Sequence, residues 1–136
     1  MASPVSRVKQ VSVFIENRPG RLVEMLRVLE NKDINIQALS LADAPDFGIV
    51  RMILPDADQG IDVLHQAGFT IRKTDVLRVE MPHRPGGLVD TVAEPLARAG
   101  LNIEYLYASV DPAPGQAVVV VKVRDLDAAE KALTLG

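Results

Sequence analysis

The sequence predicts an α+β protein made of two βαββαβ units, and three observations predict it. The run Asn17-Arg18-Pro19-Gly20-Arg21-Leu22 returns as His83-Arg84-Pro85-Gly86-Gly87-Leu88, with its prolines 66 residues apart in a chain of 136. Each copy follows an alternating apolar run, Val11, Val13 and Ile15 or Leu77, Val79 and Met81, which reads as a strand with one buried face. Each copy also precedes apolar residues at helical spacing. Two units of about 65 residues would each be marginal alone, and the repeat sets them at 1–73 and 74–136.

Met1 to Ser6, which contains Pro4, reads as a loose lead-in, and the first strand runs from Val8 to Ile15. Leu22, Met25, Leu26 and Leu29 then form one buried stripe, with Arg21, Glu24, Arg27 and Glu30 on the wet face. Asn31-Lys32-Asp33 breaks the helix. Ile34 to Leu41 is a second strand, apolar on both faces, and Phe47 to Leu54 a third, paired with it through a turn at Ala44-Pro45-Asp46. Asp56 and Asp58 open a short helix carrying Ile61, Leu64 and Ala67, which Gly68 closes. Phe69 to Arg72 supplies the fourth strand. This order of strands and helices is the split βαβ arrangement of ferredoxin-like folds.

The second unit repeats the order from Asp75, with a helix over Gly86–Ala99, strands over Leu101–Asp111 and Gln116–Val123, and a turn at Asp111-Pro112-Ala113-Pro114-Gly115. Asn35 and Asn102 are 67 residues apart, so one extra residue lies inside the second unit's first helix. Pro95 is in that stretch, where it removes a helical hydrogen bond and meets the preceding turn, and a kink or bulge is expected there. Asp125 should cap a last helix whose inner side is Leu126, Ala129 and Leu133. Gly136 matches the glycine that precedes Phe69, so the second unit lacks its last strand. Either a further tail or another segment, from a partner chain for instance, would cover the edge left open. The β-branched run Val118–Val121 belongs inside the sheet.

A formal charge of −3, with Arg and Lys scattered, gives no electrostatic reason to expect a nucleic-acid partner. Cysteine is absent, which removes disulfides, thiolate nucleophiles and Cys-based metal sites together. No apolar run of about 18 residues and no charged-then-apolar leader occurs, so neither a membrane span nor a signal peptide is expected, and cytoplasmic residence fits. His65 has no second ligand at helical spacing and reads as a surface residue. There is no Gly-x-Ser-x-Gly elbow and no phosphate-binding loop. Asp43, Asp46, Asp56 and Asp58 stand near turns and caps in no calcium-loop spacing, so solvated structural roles suffice. No catalytic residue, no metal site and no cofactor is expected.

The repeated turn is the candidate site. Proline suits a first helical position, and glycine lets a backbone or ligand come close. A helix start of this kind offers free N–H donors and partial positive charge, which suit a carboxylate or phosphate. The plainer alternative is that Pro-Gly punctuates a strand-to-helix connection.

These motifs, Asn17-Arg18-Pro19-Gly20-Arg21-Leu22 with Ile34-Asn35-Ile36, and Arg84-Pro85-Gly86-Gly87-Leu88 with Leu101-Asn102-Ile103, resemble the ACT domain family. Those are small βαββαβ modules that bind amino acids and regulate metabolic enzymes, and the resemblance covers Val8 to Lys73 and Val76 to Gly136. It implies a tandem pair joined side by side, in an antiparallel sheet with helices on one face. The seam would set Ile36, Ala38, Leu39 and Leu41 against Ile103, Tyr105, Leu106 and Tyr107. The resemblance also implies an amino-acid effector held between two units by Asn17, Arg18, Pro19, Gly20, Leu22 and Asn35, and by His83, Arg84, Gly86, Gly87, Leu88 and Asn102. An amide offers both donor and acceptor to a zwitterion.

The family's serine-binding pattern has a histidine two residues before the turn asparagine, where this chain has Ile15 and Met81, and His83 replaces Asn17 in the second copy. The two sites are therefore not expected to be equal. The reading that follows is a non-catalytic regulatory module, homodimeric, binding a small amino acid or similar carboxylate. The alternative is an interaction-only regulatory subunit of a metabolic enzyme.

Overall fold

The computed structural model describes residues 4–43, 45–110 and 113–135. The expected turns at Ala44 and at Asp111-Pro112 lie outside the described residues. In chain order the elements are β1 (Val5–Glu16), α1 (Arg21–Glu30), β2 (Ala38–Asp43), β3 (Phe47–Ile53), α2 (Ala57–Gln66), β4 (Thr70–Pro82), a π-helical stretch (Val89–Ala93) running into α3 (Glu94–Arg98), β5 (Ile103–Ala108), β6 (Gln116–Val123) and α4 (Leu126–Leu135). The chain divides into two compact units, one from Lys9 to Thr74 and one made of the residues up to Val8 with those from Asp75 onward.

In the unit from Lys9 to Thr74 the strands lie in the order β2-β3-β1-β4. β3 pairs antiparallel with both β1 and β2, Val13 facing Val50 and Leu41 also facing Val50. Alternation sends Val11, Val13 and Ile15 to one face, where they pack with Val50 and Met52 against Met25 and Leu29 of α1 and Leu64 of α2. Met25, Leu29 and Leu64 are fully buried, each worth about 1.5–3 kcal/mol of transfer free energy. Asp56 caps α2 through a hydrogen bond from the Gln59 amide at 3.1 Å, and Gly68 turns the chain with φ +91°. β2 begins only at Ala38. Gln37 still donates to the Ile53 carbonyl at 2.9 Å, but Ile34 to Ile36 lie outside the strand, correcting the expected start.

The other unit has the order β1-β4-β6-β5, and it corrects two expectations. The segments expected as separate strands at Phe69–Arg72 and from Val76 onward are one strand, because nothing between Arg72 and Val76 breaks extended backbone. No strand follows α4 among the described residues, as the sequence indicates. The vacant position is taken by the beginning of β1, so Val5 and its neighbours are no loose lead-in: Glu80 donates its backbone N–H to the Pro4 carbonyl at 2.9 Å, and Val5 is buried among Leu77, Val79, Leu96 and Leu133. Arg7 adds an ion pair to Glu130 at 2.9 Å and another to Asp127 of α4. This unit is thus a βαββαβ unit whose closing strand comes from the front of the chain.

β6 pairs on both sides, with β4 and with β5, so Val118–Val121 is interior as expected. Among the described residues β2 pairs with β3 alone and β5 with β6 alone, so each leaves one edge without a ladder. Tyr105 and Tyr107 share a face of β5, their rings stacked at 6.5 Å, with Tyr107 buried. Asp125 caps α4 through the Ala128 amide at 3.0 Å.

The extra residue before α3 becomes a π-helical turn. Its closing bond runs from the Glu94 amide to the Val89 carbonyl, one residue longer than the α-helical ring. The insertion comes directly before Pro95, which has no amide to offer the ladder, so the widened turn absorbs both the surplus residue and the missing donor.

Candidate functional site

The two turns are built alike. Arg18 donates to the Glu16 carbonyl, Arg21 to that of Arg18 and Glu24 to that of Gly20, at 2.9, 3.3 and 3.0 Å. The same three bonds recur 66 residues on, from Arg84 to Pro82, Gly87 to Arg84 and Asp90 to Gly86, at 3.1, 3.0 and 2.9 Å. Gly20 and Gly86 adopt φ +84° and +80°, which side-chain-bearing residues avoid. Gly87 is needed for space as well, since a Cβ there would sit 2.7 Å from the Pro82 carbonyl oxygen.

Around the first turn the end of β1, the start of α1 and the end of β2 enclose a cleft of 350 Å³, lined by Ile15, Glu16, Asn17, Arg18, Gly20, Leu22, Leu41, Ala42, Asp43 and Gly48. β1 and β2 both pair with β3, and their ends meet: Ile15 and Asp43 each face Gly48. The Asn17 amide Nδ2 donates to Asp43 Oδ1 at 3.3 Å. Gly20 occupies the N-cap of α1, so no side chain covers the first amides of that helix.

The charges beside the turn are cross-linked. Arg18 Nε bonds Glu16 Oε2 at 3.1 Å, and its Nη1 lies 3.6 Å from Glu24 Oε1. Arg21 Nη1 bonds Glu24 Oε2 at 2.7 Å, and its guanidinium carbon stands 4.3 Å above the centre of the Phe69 ring. The hydrogen bond from Arg21, followed by the charge of Arg18, holds the Glu24 carboxyl below its ordinary range, and the Glu16 hydrogen bond followed by the Glu24 charge raises Arg18. Buried Arg21 Nε makes no hydrogen bond, its Glu16 neighbour being 3.8 Å away.

Of the sequence-predicted residues, Asn17, Arg18, Gly20 and Leu22 therefore come together, with Pro19 in the turn itself. Asn35 does not join them: it lines a separate depression with Leu26, Leu29, Glu30 and Ile36. Asn102 likewise lines a depression of 690 Å³ with Glu104, Arg124 and Asp125, apart from His83, Arg84, Gly86, Gly87 and Leu88. The reason is topological, since a strand–helix–strand crossover starts β2 at the end of the sheet opposite to where β1 finishes. Sequence reasoning missed Asp43 as a cleft residue. Its place follows from the pairing of β1 and β2 on either side of β3, which no local motif announces. Among the described residues no group of three or more His, Asp or Glu side chains could hold a metal ion.

A family model described as an ACT domain pair matches residues 6–135. A protein of Bacteroides thetaiotaomicron of known crystal structure is 35% identical, with a TM-score of 0.86 over 96% of this chain and 89% of that one. The ligand-free regulatory subunit of aspartate kinase from Thermus thermophilus shares the fold at 16% identity, with a TM-score of 0.67 over 95% and 93% of the two chains. A structure of aspartokinase alpha and beta subunits does so at 17% identity, with a TM-score of 0.64 over 95% and 91%. A search of the curated proteins returns no significant match.

Proposed function

The chain belongs to the ACT domain pair family, and from that premise we propose that it is a non-catalytic regulatory module binding a small amino acid, or a similar carboxylate, against the turn that opens α1. The observation that carries the reading is the cleft in which Asn17, Arg18, Gly20 and Leu22 meet. Its 350 Å³ falls at the small end of ligand pockets. The uncapped amides of α1 suit a carboxylate, and the Asn17 side chain offers a donor and an acceptor beside them.

The partner in this reading is a second copy of the chain. Among the described residues one edge of β2 carries no ladder, and Leu41 and Phe47 beside it are exposed. Two copies of β2 paired antiparallel across a two-fold axis set the start of one strand beside the end of the other. Asn35, just ahead of β2, then reaches the neighbouring copy's Asn17 cleft. An effector held there stabilises the paired state by its preference for it, and a metabolic enzyme of the cytoplasm is the target.

A second reading, an interaction-only regulatory subunit, draws support from the exposed apolar side chains of Leu88, Val89, Leu106 and Val110. A thermal-shift screen of the common amino acids separates the two. A ligand at about a hundred times its dissociation constant adds roughly 2.7 kcal/mol of apparent stability, and Asn17→Ala should abolish that shift. A shift that survives Asn17→Ala rejects the cleft, and no shift at all favours the interaction-only reading.

A further inference from the structure

We propose that Asp43 receives the ammonium group of the effector and that the Asn17 turn is a ligand site while the His83 turn is not, so that each chain binds one effector molecule. The proposal rests on the Asn17 cleft being an amino-acid site and names what selects the ligand there.

Charge singles out Asp43. Around the Asn17 turn, Arg18 and Arg21 are already matched to Glu16 and Glu24. Asp43 is left over. Among the described residues its one hydrogen-bond partner is the neutral Asn17 amide, which occupies a single carboxylate oxygen at 3.3 Å. Asp43 lines the cleft beside Gly48 and Ala42. A bare carboxylate would be repelled there unless it brought a cation of its own. A zwitterion does so: its carboxylate turns to the open amides of α1 while its ammonium meets the free oxygen of Asp43.

The repeat puts different residues at the equivalent place. In the first unit Ile15 faces Gly48 and Gly48 faces Asp43. In the second Met81 faces Ala117, and the β5–β6 register, continued from Ala108–Val119 through the Ser109 to Val118 hydrogen bond, brings Val110 opposite Ala117. Val110 thus stands where Asp43 stands, and His83 where Asn17 stands. Val110 is 62% exposed, and Leu88 and Val89 beside the same turn are exposed too. The arginine of that turn is folded onto its own loop, Arg84 Nη1 bonding the Pro85 carbonyl at 3.2 Å and Nη2 bonding Asp90 at 3.3 Å. The second copy keeps the backbone of the turn and replaces the polar pair that would grip a zwitterion.

Isothermal titration of the full chain with each of the common L-amino acids, and of every hit's deaminated analogue (propionate for alanine, succinate for aspartate), tests this. The expected result is one site per chain, no binding of the analogue, and affinity at least about tenfold weaker in Asp43→Asn, as for loss of a charged hydrogen bond. Asp43 is exposed, so the melting temperature of Asp43→Asn without ligand should match that of the parent. An analogue that binds as well as its amino acid, an unchanged affinity in Asp43→Asn, or two sites per chain overturns the proposal while leaving amino-acid binding intact. Absence of binding by any amino acid overturns the amino-acid reading and this one with it.

Discussion

The Glu80 amide and the Pro4 carbonyl lie 2.9 Å apart in a hydrogen bond, and with it the start of β1 fills the strand position beside β4. Val5, next in line, is 7% exposed and packs among Leu77, Val79 and Leu133. Val5→Asp would put an unpaired charge in that core and should cost about 3 kcal/mol or more. Urea denaturation checks it. Arg7→Ala, which removes ion pairs whose partners are exposed, should leave the midpoint within error of the parent. An unaffected Val5→Asp would mean that the strand is not held there in solution.

The π-helical stretch before Pro95 makes a second expectation. Deleting Thr91 removes the surplus residue, but the helix then closes in α geometry onto a proline that lacks an amide and meets the carbonyl four residues back. That deletion alone should destabilise the protein by about 3 kcal/mol, the cost of an interior helical proline. Combined with Pro95→Ala it should recover most of the loss. Thermal melts of the two variants decide it, and equal losses in both would refute the link between the bulge and the proline.

Glu24 supplies a pH dependence whose sign is fixed by its environment. Its carboxyl is held below the ordinary value near 4.5, chiefly by the hydrogen bond from Arg21. The stabilisation is therefore present above that value and is lost as pH falls through the lowered one. Glu24→Gln should melt slightly below the parent at neutral pH, and the gap should close under acid conditions. Added salt should narrow it as well, because these charges face solvent. A gap that widens on acidification contradicts the pairing.

Much of this was legible in the residues themselves. The 66-residue return of Pro-Gly located both turns, and the shift to 67 at Asn102 located the bulge beside Pro95. Asp56 and Asp125 announced their helices and cap them. The continuity of β4 was harder to read, because Arg72 to Val76 carries neither a turn signal nor sustained alternation, and a repeat boundary invites a break there. The role of Val5 was hidden for a different reason: its partners are distant in sequence, and a β-branched residue after a proline has no local signature of burial. At the site, local motifs located Asn17 and Gly20 but could not say that Asn35 opens the far end of β2, nor that Asp43 arrives beside Asn17. Those depend on which strand lies between which, and pairing order is not written into any short motif.

The borrowing of the opening strand has a consequence for synthesis. A nascent polypeptide can bury Val11, Val13 and Ile15 once Phe69 has left the ribosome, yet Val5 cannot be enclosed until Leu133 has been made. Val5 is thus made well before the residues that shelter it, and during elongation it must wait for them.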